Sequence, residues 1–332
     1  MAYHARHQGP PLERANLYQQ ITDRIIAELE AGRVPWVQPW GTANAAIGMP
    51  HNAVSDRRYS GINILTLWNA VVSRGFTSHG FLTFRQAVVL GGTVRRGEHG
   101  VPIIYTRRYV PRIEQQRADT EGREATGGIP FLKHFTVFSV DQCDGLPEHI
   151  APPPRPIPEG LILPRAEVLI AATGADFRIG GVSAFYSPTH DYVAVPRPDD
   201  FHDPVNWHRT AFHELGHWTG HRHRLDRDQS GSFGSKSYGR EELVAEMAGA
   251  FVCAALGIVP SVRHADYIGS WLAIIREDNR AILRAASAAS KAADYLLAFQ
   301  PETVAAANDL PNDEDHGIAD PESETMEGRI AA

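Results

Sequence analysis

The sequence predicts an α+β protein of two domains. Three observations point there. The chain has 332 residues, too many for one small core and suited to two of ordinary size. Both halves mix runs of helical spacing with short β-branched runs. Between them lies a proline-rich segment, Glu148 to Glu159, whose polyproline geometry suits a stiff spacer. The expected division is a first domain over 1–147, a linker over 148–160, a second domain over 161–300 and an acidic tail over 301–332. The tail is rich in Asp, Glu, Pro and Gly and poor in large apolar residues, so it is expected to be disordered.

The elements follow in chain order. Leu17 to Ala31 sets Ile21, Ile25, Ile26 and Leu29 at helical spacing, and Gly32 ends the run. Two prolines keep Val34 to Trp40 out of a helix. A helix is expected at Ile62 to Ser73, and a second at Thr83 to Leu90 with Thr83 as its N-cap. Val101 to Tyr109 and Phe131 to Val140 read as strands, and the charged stretch Arg112 to Gly128 between them as a mobile hairpin loop. The second half opens with a helix near Pro164 to Thr173. Short strands follow at Phe177–Ile179 and Tyr192–Val195, then long helices at Trp207–Gly220, Tyr238–Leu256 and Pro260–Gln300.

Composition narrows the class. With 43% hydrophobic and 21% charged residues, the chain is neither disordered nor membrane-like. No apolar run approaches the roughly 20 residues that span a bilayer, so no membrane partner is expected. The polar start, Met1 to Pro11, lacks an apolar signal core and predicts a cytoplasmic protein. Two cysteines, Cys143 and Cys253, cannot build a disulfide framework or a four-thiolate zinc site; they read as small buried side chains. The net charge of −7 is unevenly spread: residues 1–140 hold 16 Lys/Arg against 10 Asp/Glu, and the rest 16 against 29. A polyanion site is therefore sought only in the first half.

The strongest chemical signal is His213-Glu214-Leu215-Gly216-His217. Positions i and i+4 share a helix face, so both imidazoles can reach one ion, and neutral imidazole suits Zn²⁺. Mn²⁺ or another divalent ion would also fit such donors. Glu214, beside the first ligand, is placed to act as general base on a water activated at the metal. This is a zinc metallopeptidase pattern, and a catalytic site needs a third protein ligand. Glu242 is the preferred candidate, which would make the centre gluzincin-like. Its helical neighbour Glu246 and His223 are the alternatives, the latter through His213-x-x-x-His217-x-x-Gly220-x-x-His223. Glu241 reads as an exposed helix charge. Ahead of the centre, 184–188 and 191–196 suggest an edge hairpin on which a substrate peptide can add as a strand, with Tyr186 a candidate oxyanion donor.

In the first half, aromatic residues interleave with cations: Trp36, Trp40, Tyr59 and Trp68 with Arg57, Arg58, Arg85, Arg95, Arg96 and Lys133. Single-strand binding uses that combination, stacking bases on rings and pairing phosphates with cations.

These residues carry a resemblance. Up to about residue 300 the chain resembles the ArdC-type antirestriction proteins of conjugative plasmids and related mobile elements. The likeness runs through Pro35-Trp36 and Pro39-Trp40, Asn52 to Asn63, Leu82 to Ala87, Gly97-Glu98 and Phe138 to Leu146. It continues through Tyr186-Ser187-Pro188, His213 to Gly220, Arg224-Leu225 and Glu241 to Glu246. The resemblance implies an N-terminal single-stranded DNA-binding domain, a C-terminal zincin-like metallopeptidase domain, and protection of incoming single-stranded DNA from restriction. It also implies His213 and His217 as ligands, Glu214 as base and an acidic ligand from the Glu242/Glu246 helix. It names no protein substrate. One departure stands out: Ser55-Asp56 replaces the family's Ser-Gly, so an acid either weakens a phosphate contact or serves as a turn residue. Two other readings stay open: a DNA-binding protection protein with a non-catalytic metal site, and a regulatory peptidase without a DNA role.

Overall fold

The computed structural model describes residues 11–37, 44–109, 112–122, 129–150, 159–261 and 267–301. The first domain opens with α1 (Pro11–Glu30), which turns Ile25 and Leu29 inward at helical spacing. Gly32, at φ +72°, then reverses the chain in a conformation that favours glycine. In order follow β1 (His51–Asn52), α2 (Ile62–Arg74), β2 (Gly80–Thr83), α3 (Phe84–Val89), β3 (Thr93–Val94), β4 (Val101–Tyr109), α4 (Arg112–Glu121), β5 (Ile129–Ser139) and β6 (Cys143–Asp144). Thr83 caps α3 as its sequence predicts, in a reciprocal capping box with Gln86. Four strands form one sheet in the order β1-β2-β5-β4, and β3 pairs with β6 in a second. Buried Asn63 of α2 fastens helix to sheet: its amide donates to the Ile104 carbonyl at 2.7 Å and accepts the Ile104 N–H at 2.8 Å.

The second domain starts with α5 (Glu159–Ala172). A small sheet of β7 (Asp176–Ile179), β8 (Phe185–Ser187) and β9 (Tyr192–Val195) has the order β7-β9-β8, leaving β8 at an edge. Four helices complete it: α6 (Pro204–Trp218), α7 (Lys236–Ala255), α8 (Ile268–Glu277) and α9 (Ala281–Leu297). Asp203 caps α6 by accepting the Val205 N–H, and Pro204 takes the first helical position, where no N–H is needed. From Glu241 to Ala254 every side chain of α7 is buried. It is the central helix, packed against α6, α8 and α9. No helix among the described residues is long and apolar enough to cross a membrane.

One hydrophobic core runs through both domains. Trp36, following α1, meets Trp271 of α8 edge-on with ring centroids 5.4 Å apart. Trp68 of α2 meets Phe251 of α7 in the same way at 5.6 Å. Polar contacts cross the same boundary: the Gly61 N–H donates to the Ser290 hydroxyl and the Thr22 hydroxyl to the Asn279 carbonyl, both at 2.7 Å.

The structure departs from the sequence expectations in three places. Arg112 to Glu121 is helix α4, not loop; its Glu, Gln, Arg and Ala residues are good helix formers, and Ala118 is buried. The run Pro260–Gln300 is two helices, not one. Asp278 ends α8 and accepts the Arg280 N–H at 3.0 Å, a side-chain bond that competes with the helix. Helix α5 begins at Glu159, five residues earlier than expected, and takes in Pro164. Residues 151–158 of the expected linker and 302–332 of the expected tail lie outside the described residues. Cys253 is buried as expected, and burial pushes its thiol up to about 12; Cys143 is half-buried.

A shared core predicts shared unfolding. Trp36→Ala should cost about 3–5 kcal/mol and lower a single urea transition seen alike by far-ultraviolet circular dichroism and tryptophan fluorescence. Two separable transitions, only one of them shifted, would mean the domains unfold independently.

Candidate metal centre

The centre forms where α6 and α7 come unusually close. A Cβ on Gly216 would lie 3.2 Å from the Ala245 carbonyl oxygen, and one on Gly249 would lie 3.3 Å from the His213 nitrogen. Glycine at both positions lets the two backbones touch. His213 and His217, one turn apart on α6, therefore face α7 at short range. His213, His217 and Glu242 gather their donor atoms within 4.8 Å of one another. The Glu242 carboxylate stands between the rings, with Oε2 3.5 Å from His213 Nε2 and Oε1 3.4 Å from His217 Nε2. Ligands about 2.0–2.1 Å from a tetrahedral ion lie roughly 3.4 Å apart, so these residues fit a divalent cation.

The outer nitrogens are held as well. His217 Nδ1 lies 3.3 Å from Glu241, and His213 Nδ1 lies 3.9 Å from Glu246. Each imidazole thus turns Nε2 to Glu242 and Nδ1 to another carboxylate, the arrangement that orients metal-binding histidines. Burial works to lower the His217 pKa, but Glu241 and Glu242 outweigh it and push the ring up to about 10. Burial works to raise the Glu242 carboxyl, but His213 and His217 hold it far below the usual carboxylate range.

Glu241 is the main surprise. Buried rather than exposed, it accepts Arg227 Nε at 3.0 Å, Arg227 Nη2 at 2.7 Å and Gln229 Nε2 at 3.1 Å. On a one-sided helix neighbouring residues cannot both face inward, but α7 is buried all round, so Glu241 and Glu242 reach opposite nitrogens of one ring. His223 stays out of the cluster. Its turn is pinned by Arg224, which binds Asp191 and lies over the Trp218 ring at 3.9 Å. Glu246 sits behind His213 rather than beside the other donors.

Glu214 and Tyr186 line the same cleft as the cluster. The Tyr186 hydroxyl donates to Asp191 at 2.9 Å, which commits its one proton there. Tyr238 is a second phenol in the cleft, hydrogen-bonded to Glu242 and Tyr267; burial and these partners raise its pKa. It lies one helical turn before Glu242 on α7, so i, i+4 spacing is the signal that could have found it.

The first-domain candidates divide. Trp36 and Trp68 are both 0% exposed, so neither ring can receive a base, and both are corrected to core residues. The Trp68 indole also donates to the Gly48 carbonyl at 2.8 Å. Trp40 lies outside the described residues. Tyr59 is half-buried and bonded to Asn52. Arg57, Arg58, Arg85, Arg96 and Lys133 are exposed. Arg95 is exposed but paired with Glu98 at 3.0 Å and Asp144 at 3.3 Å. Asp56 adopts φ +54°, where glycine is at ease, beside a turn in which Asn52 accepts the N–H groups of Val54 and Ser55. It follows that turn directly, in a left-handed conformation. Three exposed aromatics escaped the sequence reading: Phe84 at 55%, Tyr105 at 46% and Phe135 at 38%. Tyr105 and Phe135 continue the strand alternation of the buried residues Val101, Ile103 and Val137, so their spacing reads as core.

Comparison with known proteins adds to this geometry. Residues 15–138 match the family model for the N-terminal domain of anti-restriction factor ArdC, and residues 164–288 match that for zincin-like metallopeptidases. The y4eC protein of Sinorhizobium fredii is 38% identical over 295 residues, covering 88% of this chain and 95% of that protein. The DNA primase TraC of Escherichia coli is 37% identical over 299 residues, covering 86% of this chain but 27% of TraC. Crystal structures of the antirestriction protein ArdC from plasmid R388, metal-free and Mn(II)-bound, align with TM-scores of 0.71 and 0.70. Both are 38% identical and cover 86% of this chain and 98% of theirs.

Replacing Glu242 by Gln should weaken Zn²⁺ or Mn²⁺ binding by more than about 100-fold, since losing a ligand exceeds the ~10–100-fold cost of losing an outer partner. His223→Ala should leave affinity within about twofold. Calorimetric titration of both variants checks this, and the reverse ranking would move the third ligand to the turn.

Proposed function

The chain belongs to the ArdC antirestriction family, and we propose that it protects incoming single-stranded DNA from restriction, holding the strand on its first domain and a divalent cation in its second. The observation that carries this reading is the His213–His217–Glu242 cluster, with His213 and Glu242 buried and His217 partly so, set in a chain whose other domain exposes cations and aromatic rings. Zn²⁺ and Mn²⁺ both suit two imidazoles and a carboxylate. With Trp36 and Trp68 in the core, the stacking platforms are Phe84, Tyr105 and Phe135. Arg57, Arg58, Arg85, Arg96 and Lys133 pair with phosphates. Lys133 lies opposite Tyr105 in the β4–β5 register, and its ammonium stands 5.1 Å from the Phe135 ring centre. The acid excess beyond residue 140 repels a polyanion and confines it to the first domain.

A second reading adds hydrolysis of a protein met at the DNA, and the buried Glu214 carboxylate in the cleft favours it. A bound divalent cation supplies a Lewis acid that polarises a peptide carbonyl. Edge strand β8 offers backbone groups on which an extended peptide can align. Glu214 takes a proton from the attacking water and returns it to the leaving nitrogen. Tyr238, one turn before Glu242 on α7, steadies its carboxylate by a hydrogen bond.

Two measurements test these readings. Oligonucleotide affinity, followed by anisotropy against salt, should lose about 0.7 of its logarithmic slope for each of Arg58→Ala and Lys133→Ala. An unchanged slope in both would remove them from the DNA surface. Protection of transferred DNA should then be compared in wild type and Glu214→Gln. Survival in the variant supports a metal site that organises rather than hydrolyses. Loss with oligonucleotide binding intact supports hydrolysis, where a general base contributes ~10²–10⁴-fold in rate.

A further inference from the structure

The segment after α6 folds back onto the helix it has just left. The Leu225 N–H bonds the Thr219 carbonyl at 3.0 Å, the Asp226 N–H the His221 carbonyl at 3.2 Å and the Arg227 N–H the Gly220 carbonyl at 2.9 Å. Asp226 holds φ +48°, a conformation uncommon for a residue with a side chain. The reversal delivers the Arg227 side chain, 12% exposed, into the space between α6 and α7. There its guanidinium spans three partners. Nη1 reaches the Thr219 hydroxyl at 2.8 Å, Nη2 reaches the Gly216 carbonyl at 2.6 Å, and Nε with Nη2 form a two-pronged pair with Glu241. Two residues on, Gln229 donates to both the His217 carbonyl at 2.7 Å and Glu241 at 3.1 Å. Gln229 and Gly231 of the same segment line the cleft beside the metal cluster.

We infer that Arg227 is a positioning residue for the metal centre: it fixes Glu241 against His217 Nδ1, so that His217 Nε2 is held toward Glu242, and Glu241 in turn joins the same ligand to the cleft wall at Gln229. The inference rests on the metal-centre reading above. It also assigns a role to Gly220. A Cβ there would come within 2.6 Å of Gln229 Nε2 and 2.8 Å of Arg227 Nη2. This glycine makes room for the clamp; it does not return a third histidine to the metal. A lysine in place of Arg227 keeps the charge but cannot form the planar fork that grips both oxygens of Glu241 and a carbonyl together.

Mn²⁺ uptake by the full chain, measured by electron paramagnetic resonance and calorimetry, tests this without reference to any activity. Wild type, Arg227→Lys, Glu241→Gln, the double variant and Gly220→Ala are compared, each first checked for native near-ultraviolet circular dichroism. Arg227→Lys and Glu241→Gln should each weaken Mn²⁺ binding by about 10–100-fold. The double variant should be no weaker than Glu241→Gln alone, because Arg227 acts through Glu241. Gly220→Ala displaces only the ends of flexible side chains, so it should fold and show a similar loss even if an Arg227 variant does not fold. Arg227→Lys and Gly220→Ala binding within about twofold of wild type would overturn the inference while leaving the metal centre intact. Additive losses in the double variant would overturn the route through Glu241. A wild type that takes up no Mn²⁺ would overturn the metal centre itself.

Discussion

Helices α6 and α7 meet backbone to backbone at Gly216 and Gly249, and the reach of every donor in the centre depends on that contact. Helices packed through ordinary side chains keep their axes about 8–10 Å apart. With bulkier residues at these two positions, the imidazoles of α6 would stand away from the carboxylates of α7. Distances of 3.4 and 3.5 Å from one carboxylate to two rings leave little room for drift. The site is therefore set by the packing of the second domain's central helix, and only secondarily by the loops around it.

Burying several carboxylates so close together is costly unless each finds a compensating partner. The structure supplies them in layers. Glu242 faces the two histidines, and Glu241 faces His217 on one side and Arg227 on the other. Such a network adds little net stability, because desolvation offsets the attraction. Its effect is geometric. Each ring has a designated nitrogen for each neighbour, which limits the orientations it can adopt.

Much of this was legible in the chain, and the remainder was hidden for physical reasons. Helical spacing exposed α6 and its histidines, the capped α3 and the limits of α2, and β-branched runs exposed β4 and β9, because those segments have strong patterning or clear punctuation. Glu242 could be chosen because i, i+4 spacing put it with Glu246 on one stripe. Glu241 could not, since a charged residue on a helix is ordinarily exposed and only the burial of α7 on all sides reverses that expectation. Trp36 and Trp68 misled in the opposite direction. Tryptophan beside cations suits base stacking, but their true neighbours, Trp271 and Phe251, lie about two hundred residues away along the chain. Composition around a residue carries no trace of such a partner. Asp56 shows a milder case: its charge suggested electrostatics, while its backbone angle explains its place.

The core shared between the domains changes what a break in the chain would mean. Trp36, Trp68, Trp271 and Phe251 bury one another across the boundary, so neither half has a finished surface of its own. A cut between Ile150 and Glu159 would sever the covalent connection without exposing these rings. The two fragments would stay together as a complementing pair, and each made alone would present a sticky apolar face to its surroundings. Covalent linkage here maintains stoichiometry and effective concentration; cohesion comes from the shared core and the polar contacts beside it.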